Sequence, residues 1–79
     1  MEIYKLLLLY DINVFCKKWC YFKKMERYFV GEIGLEAAKK YLIMAKDNEN
    51  ICAASIHSCY IDFEGQLISD KLIEEFIRK

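Results

Sequence analysis

Residues 3–10 have the sequence IYKLLLLY, and the expected fold is built around this segment. Successive side chains of an extended strand point to opposite faces, so consecutive leucines place apolar groups on both. Strands of this composition are typically covered on both faces for part of their length. We therefore predict a central strand here, with neighbouring strands on either side.

The length and composition predict one small folded domain over residues 1–79. Hydrophobic residues make up 56% of the chain, against about 45–50% in average domains. The longest apolar runs, such as residues 6–10, have only five residues, whereas a membrane-spanning helix needs about 20 residues. Glu2 and Lys5 are also unlike the start of a secretory signal. We expect a cytoplasmic protein that has no membrane partner.

A helix is predicted over residues 35–46, where apolar residues recur along one side. This stripe consists of Leu35, Ala38, Leu42 and Ala45. Ile43 falls on the opposite side, where we expect it to be a scattered surface residue.

A β-hairpin is predicted after the helix. Residues 51–63 resemble a long strand, Glu64-Gly65 turns the chain, and residues 66–69 return. Asp62 and Glu64 are then expected to be solvated turn residues rather than ligands of a hard cation.

A final helix is predicted over residues 71–79, with Ser69 or Asp70 as its cap. Its apolar face would consist of Leu72, Ile73, Phe76 and Ile77, and Glu74 would pair with Arg78 one turn away. Such a short helix must dock on the sheet or on a partner, because it is marginal alone in water.

Residues 14–30 allow two interpretations. In a helix, Phe15, Trp19 and Phe22 would share a face; as strands, residues 14–22 and 26–30 could form a hairpin around Lys23-Lys24. We favour a strand that ends near Gly31 and leave residues 14–22 open. The predicted fold class is therefore α+β: a small antiparallel sheet of about four strands, in the order β-β-α-β-β-α, with helices packed on one face.

The four cysteines, Cys16, Cys20, Cys52 and Cys59, are interpreted as reduced and mostly buried thiols. A zinc site formed by Cys16, Cys20, His57 and Cys59 is the weaker hypothesis, because His57 and Cys59 lie within a predicted strand rather than on a tight turn. No metal or other cofactor is therefore predicted.

The sequence has none of the common catalytic signatures, such as a nucleophile elbow, a zinc-protease motif or a phosphate-binding glycine loop. His57 is the only histidine, and inside a strand it is more often hydrogen-bonded than catalytic. We expect a protein that is not an enzyme and has no catalytic residue.

Residues 17–27, which we call the basic-aromatic segment, contain five positive residues and one negative residue, a local charge of +4. Aromatic rings interleaved with lysine and arginine are typical of protein-binding hot spots and of surfaces that bind single-stranded nucleic acid. The ordinary alternative is that the rings are core and the lysines are solvated. The residues predicted to bind a partner are Lys17, Lys18, Trp19, Tyr21, Lys23, Lys24 and Arg27.

The acidic residues lie late in the chain and offer a second surface. They are Asp47, Glu49, Asp62, Glu64, Asp70, Glu74 and Glu75. Gathered on one face, they could mimic phosphate groups toward a basic nucleic-acid-binding protein. A surface that merely keeps the domain soluble is the commoner outcome.

The chain resembles small proteins carried by bacteriophages and other mobile elements, including inhibitors of the anti-CRISPR type. The resemblance rests on the size, on a strand ending at Tyr28-Phe29-Val30-Gly31, on a helix containing Glu36-Ala37-Ala38-Lys39-Lys40, and on the hairpin at Asp62-Phe63-Glu64-Gly65-Gln66-Leu67. It implies a protein that binds a host defence complex and blocks nucleic-acid access or assembly.

The leading hypothesis is thus a non-enzymatic protein-binding inhibitor or adaptor, of the phage anti-defence type, that binds a host protein or nucleoprotein complex through the basic-aromatic segment. The alternative is a module that binds single-stranded RNA or DNA through the same residues. Self-association as a homodimer is a further expectation, because a domain this small leaves much apolar surface uncovered.

Overall fold

A computed structural model describes residues 2–11 and 22–78 of the chain, with the side chains of residues 2–10 and 24–78. It contains strand β1 (Ile3–Asp11), strand β2 (Phe22–Val30), helix α1 (Gly31–Lys46), strand β3 (Ile51–Ile61) and strand β4 (Leu67–Ile77). The four strands form one antiparallel sheet in the order β2-β1-β3-β4, and α1 packs on one face.

The predicted central position of the first strand is confirmed. Leu6 of β1 faces Arg27 of β2 on one side and Ile56 of β3 on the other. Leu6 and Ile56 have no exposed surface, and with Leu42 of α1 they form the centre of the core. The alternation of β1 directs Tyr4, Leu6 and Leu8 toward the helix.

The predicted helix is also confirmed, although it begins four residues earlier, at Gly31. Gly31 has a φ of +76°, which only glycine adopts without strain, and this lets the chain turn directly from β2 into α1. The predicted stripe is buried at Ala38, Leu42 and Ala45, and Ile43 is exposed.

Gly34 adds a contact that the stripe did not reveal. A Cβ atom there would lie 3.0 Å from the backbone carbonyl carbon of Phe29, so α1 lies directly against β2.

The predicted fold class is wrong in its helix content, because residues 2–11 and 22–78 are mostly sheet and contain one helix. The chain enters β4 where the last helix was expected, and Ser69 and Asp70 lie within this strand rather than capping a helix. Residues 71–77 fit a helix by their spacing, but extended they pair along β3, for example Phe76 with Ala54. The backbone hydrogen bonds of this long ladder outweigh a helix of about two turns, which is marginal by itself.

The hairpin alternative around Lys23-Lys24 is wrong as well, because both residues lie inside β2. The preferred interpretation, a strand ending near Gly31, is confirmed by the end of β2 at Val30. Residues 14–21, which the sequence left open, lie outside the described residues. Within the described part of the chain, no helix is both long enough and apolar enough to span a bilayer.

Candidate protein-binding surfaces

The basic-aromatic segment is only partly described, and its described cations do not form one patch. Lys24 faces Leu9 and Arg27 faces Leu6 across the β1–β2 ladder, so the two side chains lie on opposite faces of the sheet. Lys23 lies in β2, but its side chain is outside the described set. Four further predicted residues lie outside the described residues altogether: Lys17, Lys18, Trp19 and Tyr21.

Arg27 is engaged within the domain. Its guanidinium carbon lies 5.3 Å from the ring centroid of Tyr41 on α1, a cation–π distance. The Tyr41 ring is in turn 5.7 Å from the ring of Phe29 on β2. This arginine therefore contributes to the helix–strand contact, although its side chain remains exposed.

The hairpin of β3 and β4, residues 51–77, contains most of the acidic residues that the sequence analysis proposed as a second surface. We call it the acidic hairpin. It contains five carboxylates and one cation, which gives a net charge of −4. Neither lysine nor arginine occurs between Lys46 and Lys71. The carboxylates are Asp62, Glu64, Asp70, Glu74 and Glu75, and all but Asp62 are exposed. β4 is an edge strand, so carboxylates from both faces of the sheet border the same edge.

The turn of the acidic hairpin is held by the backbone and side chain of Asp62. Its carboxylate oxygen Oδ1 accepts hydrogen bonds from the backbone N–H groups of Glu64 and Gln66, both at 2.9 Å. Its own N–H donates to the carbonyl of Gln66 at 2.9 Å, and its carbonyl accepts from the N–H of Gly65 at 3.0 Å. Gly65 has a φ of +83°, which suits glycine. The turn is therefore a well-defined structure.

Phe63 stands in this turn and is 98% exposed. An aromatic side chain in water is unusual when the segment that bears it is ordered, because burying a phenyl ring contributes roughly 1.5–3 kcal/mol. The tip extends beyond the rest of the sheet, since Cys59 is the last residue of β3 that pairs with β1. It also exposes the apolar side chains of Tyr60, Ile61 and Leu67.

Sequence reasoning treated this turn as a solvated one and did not select Phe63. The signal was present, because a phenylalanine between Asp62 and Glu64, inside a hairpin turn, has no strand face through which to reach the core.

The sheet face opposite α1 is a second candidate surface, which we call the open face. No described element covers it. Strand alternation and pairing assign to it the following residues: Ile3, Lys5, Leu7 and Leu9 of β1, Lys24, Glu26, Tyr28 and Val30 of β2, Ala53, Ser55, His57, Cys59 and Ile61 of β3, and Leu67, Ser69, Leu72, Glu75 and Ile77 of β4. A shallow hollow of about 170 Å³ lies near Leu7, Leu9 and Ile77.

The charges of the described side chains on the open face cancel. Lys5 and Lys24 are balanced by Glu26 and Glu75. The hydroxyl of Tyr28 donates to Oε2 of Glu26 at 3.1 Å, and this hydrogen bond to a carboxylate raises the pKa of Tyr28. Tyr28 is the one aromatic residue of the described open face, so a stacking platform for successive bases is not formed by these residues.

The zinc hypothesis gains no support from the described residues. Ser55 and His57 lie two apart on β3 with Oγ and Nε2 3.0 Å apart. Cys59 is buried, and its thiol donates to the carbonyl of His57 at 3.8 Å. No group of three or more potential ligands occurs within residues 2–11 and 22–78. Cys16 and Cys20, the other two proposed ligands, lie outside that set.

Comparison with protein-family profiles, with curated proteins and with solved structures finds no match to this chain.

Proposed function

We propose that this chain is a non-enzymatic protein-binding inhibitor or adaptor that attaches through the acidic hairpin to a basic surface of a nucleic-acid-binding protein. The observation that carries the proposal is Phe63, 98% exposed on a hydrogen-bonded turn within a hairpin of net charge −4. The partner surface that fits is an apolar pocket bordered by lysine and arginine.

Phe63 supplies the apolar part of the binding energy. Interface hot spots are commonly large side chains that fill a pocket and exclude water. The hydrogen bonds to Asp62 fix the turn before binding, so little conformational entropy is lost when the ring enters a pocket. The neighbouring side chains of Tyr60 and Ile61 are exposed and can extend the apolar contact.

The carboxylates supply attraction and selectivity. Glu64, Asp70 and Glu74 are exposed along the tip and the free edge of β4. Complementary charge accelerates association and makes it sensitive to salt. A basic groove that normally receives phosphates would accept such a row of carboxylates and would then be closed to nucleic acid.

The resemblance to inhibitors of the anti-CRISPR type supports a stoichiometric, cytoplasmic mode of action against a host nucleoprotein complex. The sequence analysis associates this mode of action with the basic-aromatic segment. Among the described residues the acidic hairpin is the better surface, because Lys24 and Arg27 lie on opposite faces and Arg27 contacts Tyr41.

Photo-crosslinking followed by binding between purified proteins tests the proposal. We would place p-benzoylphenylalanine at position 63, and in a matched control at Ile33, which is 84% exposed on α1. Both variants would be irradiated in an extract of cells that express the chain. We expect one protein to react at position 63 and not at position 33, with the crosslink in a pocket bordered by lysine or arginine.

Binding of that purified protein should then weaken at least tenfold for Phe63→Ala and for the Glu64→Gln/Glu74→Gln double variant, and should fall as salt rises. The Ile33→Ala variant should bind like the wild type. Unchanged binding by the folded Phe63→Ala variant would overturn the proposal.

Fluorescence anisotropy of labelled single-stranded RNA and DNA tests the alternative that the chain binds nucleic acid. We expect no saturable binding at moderate salt, because the acidic hairpin repels phosphates. Saturable binding that weakens steeply with salt would favour the alternative instead.

A further inference from the structure

We infer that two copies of this chain associate through their open faces, sheet against sheet, as a two-fold dimer. The face is unlike the solvated side of an ordinary antiparallel sheet, which is mostly polar. Ile77 is 62% exposed and Leu72 is 50% exposed, on the same face as the half-buried Leu7 and Leu9. Two such faces packed together would form a four-layer helix–sheet–sheet–helix arrangement with the apolar side chains inside.

The size of the open face matches what a stable dimer needs. β1 and β2 have 9 residues each, and β3 and β4 have 11. At about 3.4 Å per residue and about 4.8 Å between strands, the flat face covers about 650 Å² per copy. Specific interfaces bury about 800 Å² per partner. Since side chains roughen the surface, the accessible area exceeds the flat estimate, and the open face reaches the usual range.

The charge of the open face favours a second copy over a strongly charged partner. Its described side chains include two lysines and two glutamates, whose charges sum to zero, so this part of the face meets no net repulsion from a second copy. The edges of the sheet differ. β2 carries three cations and one glutamate, and β4 carries three carboxylates and one lysine. Like edges therefore repel each other, and symmetric association is directed to the faces.

Sedimentation equilibrium from micromolar to millimolar concentration tests the inference. We expect the wild type to change from a 9.4 kDa monomer to a species of twice that mass. Ile77→Lys and Leu72→Lys should each raise the dissociation constant at least tenfold. Ile43→Lys is the matched control, since Ile43 is 60% exposed on the outer side of α1 and should leave the constant unchanged.

Isotope-filtered nuclear Overhauser measurements on a mixture of labelled and unlabelled wild type give a second readout that needs no variant. Contacts between copies should join the methyl groups of Leu7, Leu9, Leu72 and Ile77. The inference is overturned if the chain stays monomeric at every concentration. It is also overturned if the mass grows beyond that of a dimer, as expected when β4 pairs with β2 of the next copy, or if Ile43→Lys weakens the dimer as much as Ile77→Lys does. A monomer whose Leu9 and Ile77 methyl groups resist a soluble paramagnetic probe would also overturn it.

Discussion

The guanidinium of Arg78 donates a hydrogen bond to the carbonyl oxygen of Lys46, the last residue of α1, at 2.9 Å. The same group donates to the carbonyl of Asn48 at 3.1 Å and to that of Ile51 at 3.1 Å. It also lies 5.0 Å from the ring centroid of Phe76. One side chain thus links the end of the helix, the connection to β3 and the end of β4, at the negative end of the helix dipole.

Replacing Arg78 should therefore destabilise the whole domain. We expect Arg78→Ala to lower the free energy of unfolding by about 1.5–2 kcal/mol, the lower part of the range for charged hydrogen bonds, because the side chain is exposed. Arg78→Lys should restore only part of the loss, because lysine lacks the planar fork that reaches several carbonyls. Urea denaturation measures both, with Lys39→Ala on the exposed side of α1 as the control. Equal stability of the alanine variant and the wild type would contradict this role.

A side chain at position 34 should separate α1 from β2. Alanine normally stabilises a helix by about 1 kcal/mol relative to glycine. At Gly34, however, its Cβ atom would lie 3.0 Å from the carbonyl carbon and the Cβ atom of Phe29. We expect Gly34→Ala to destabilise the domain by about 1–2 kcal/mol in thermal or urea unfolding, because backbone atoms cannot move aside as a flexible side chain could.

Gly31 provides the comparison for Gly34. It requires a positive φ but has open space around its Cα atom. Gly31→Asn should cost less than Gly34→Asn, since asparagine tolerates the left-handed region. A Gly34→Ala variant more stable than the wild type would show that the higher helix propensity of alanine outweighs the close contact with Phe29.

Asp62→Ala should loosen the tip of the acidic hairpin. It removes the acceptor for the N–H groups of Glu64 and Gln66, and we expect a loss of about 1–2 kcal/mol in unfolding free energy. Asp62→Asn keeps an oxygen acceptor and should lose less. Amide hydrogen exchange at Glu64 and Gln66 is the direct measurement. Unaltered exchange in the alanine variant would show that backbone bonds alone hold the turn.

Stability should fall in strongly alkaline solution because of Tyr4. The hydroxyl of Tyr4 donates to the carboxylate of Glu2, and this hydrogen bond, with a smaller effect of desolvation, raises the pKa of Tyr4 above its ordinary value of about 10. The folded state then holds its proton more tightly than the unfolded state. The contribution of Tyr4 to the free energy of unfolding is complete below about pH 10, and it is lost as the pH rises through the pKa of Tyr4 in the folded state.

Ultraviolet titration and unfolding at several alkaline pH values measure this effect. Tyr4→Phe should reduce the alkaline loss of stability, and Glu2→Gln should move the pKa of Tyr4 back toward its ordinary value. If Glu2→Gln leaves the titration of Tyr4 unchanged, the hydrogen bond is not the cause.

The elements whose signals are local could be predicted from the sequence. The leucines of β1 place apolar side chains on both faces of the strand, so its central position could be predicted without knowing which strands pair with it. The spacing of Ala38, Leu42 and Ala45 fixed the buried side of α1, and Glu64-Gly65 fixed the position of the hairpin turn. These signals depend on side-chain period and on backbone freedom at glycine, which are properties of a short stretch of chain.

Strand β4 and the surfaces depend on contacts between distant parts of the chain. Leu72, Phe76 and Ile77 satisfy a helical spacing, but the hydrogen bonds that hold the strand are made with β3, a partner that residues 71–77 do not encode. In the same way, Arg78 is committed to the carbonyl of Lys46 rather than to a helical pair with Glu74, and Lys24 is separated from Arg27 by the pleat of β2. Strand pairing joins residues far apart in the chain, so the faces and edges it creates become defined only when the whole sheet has formed.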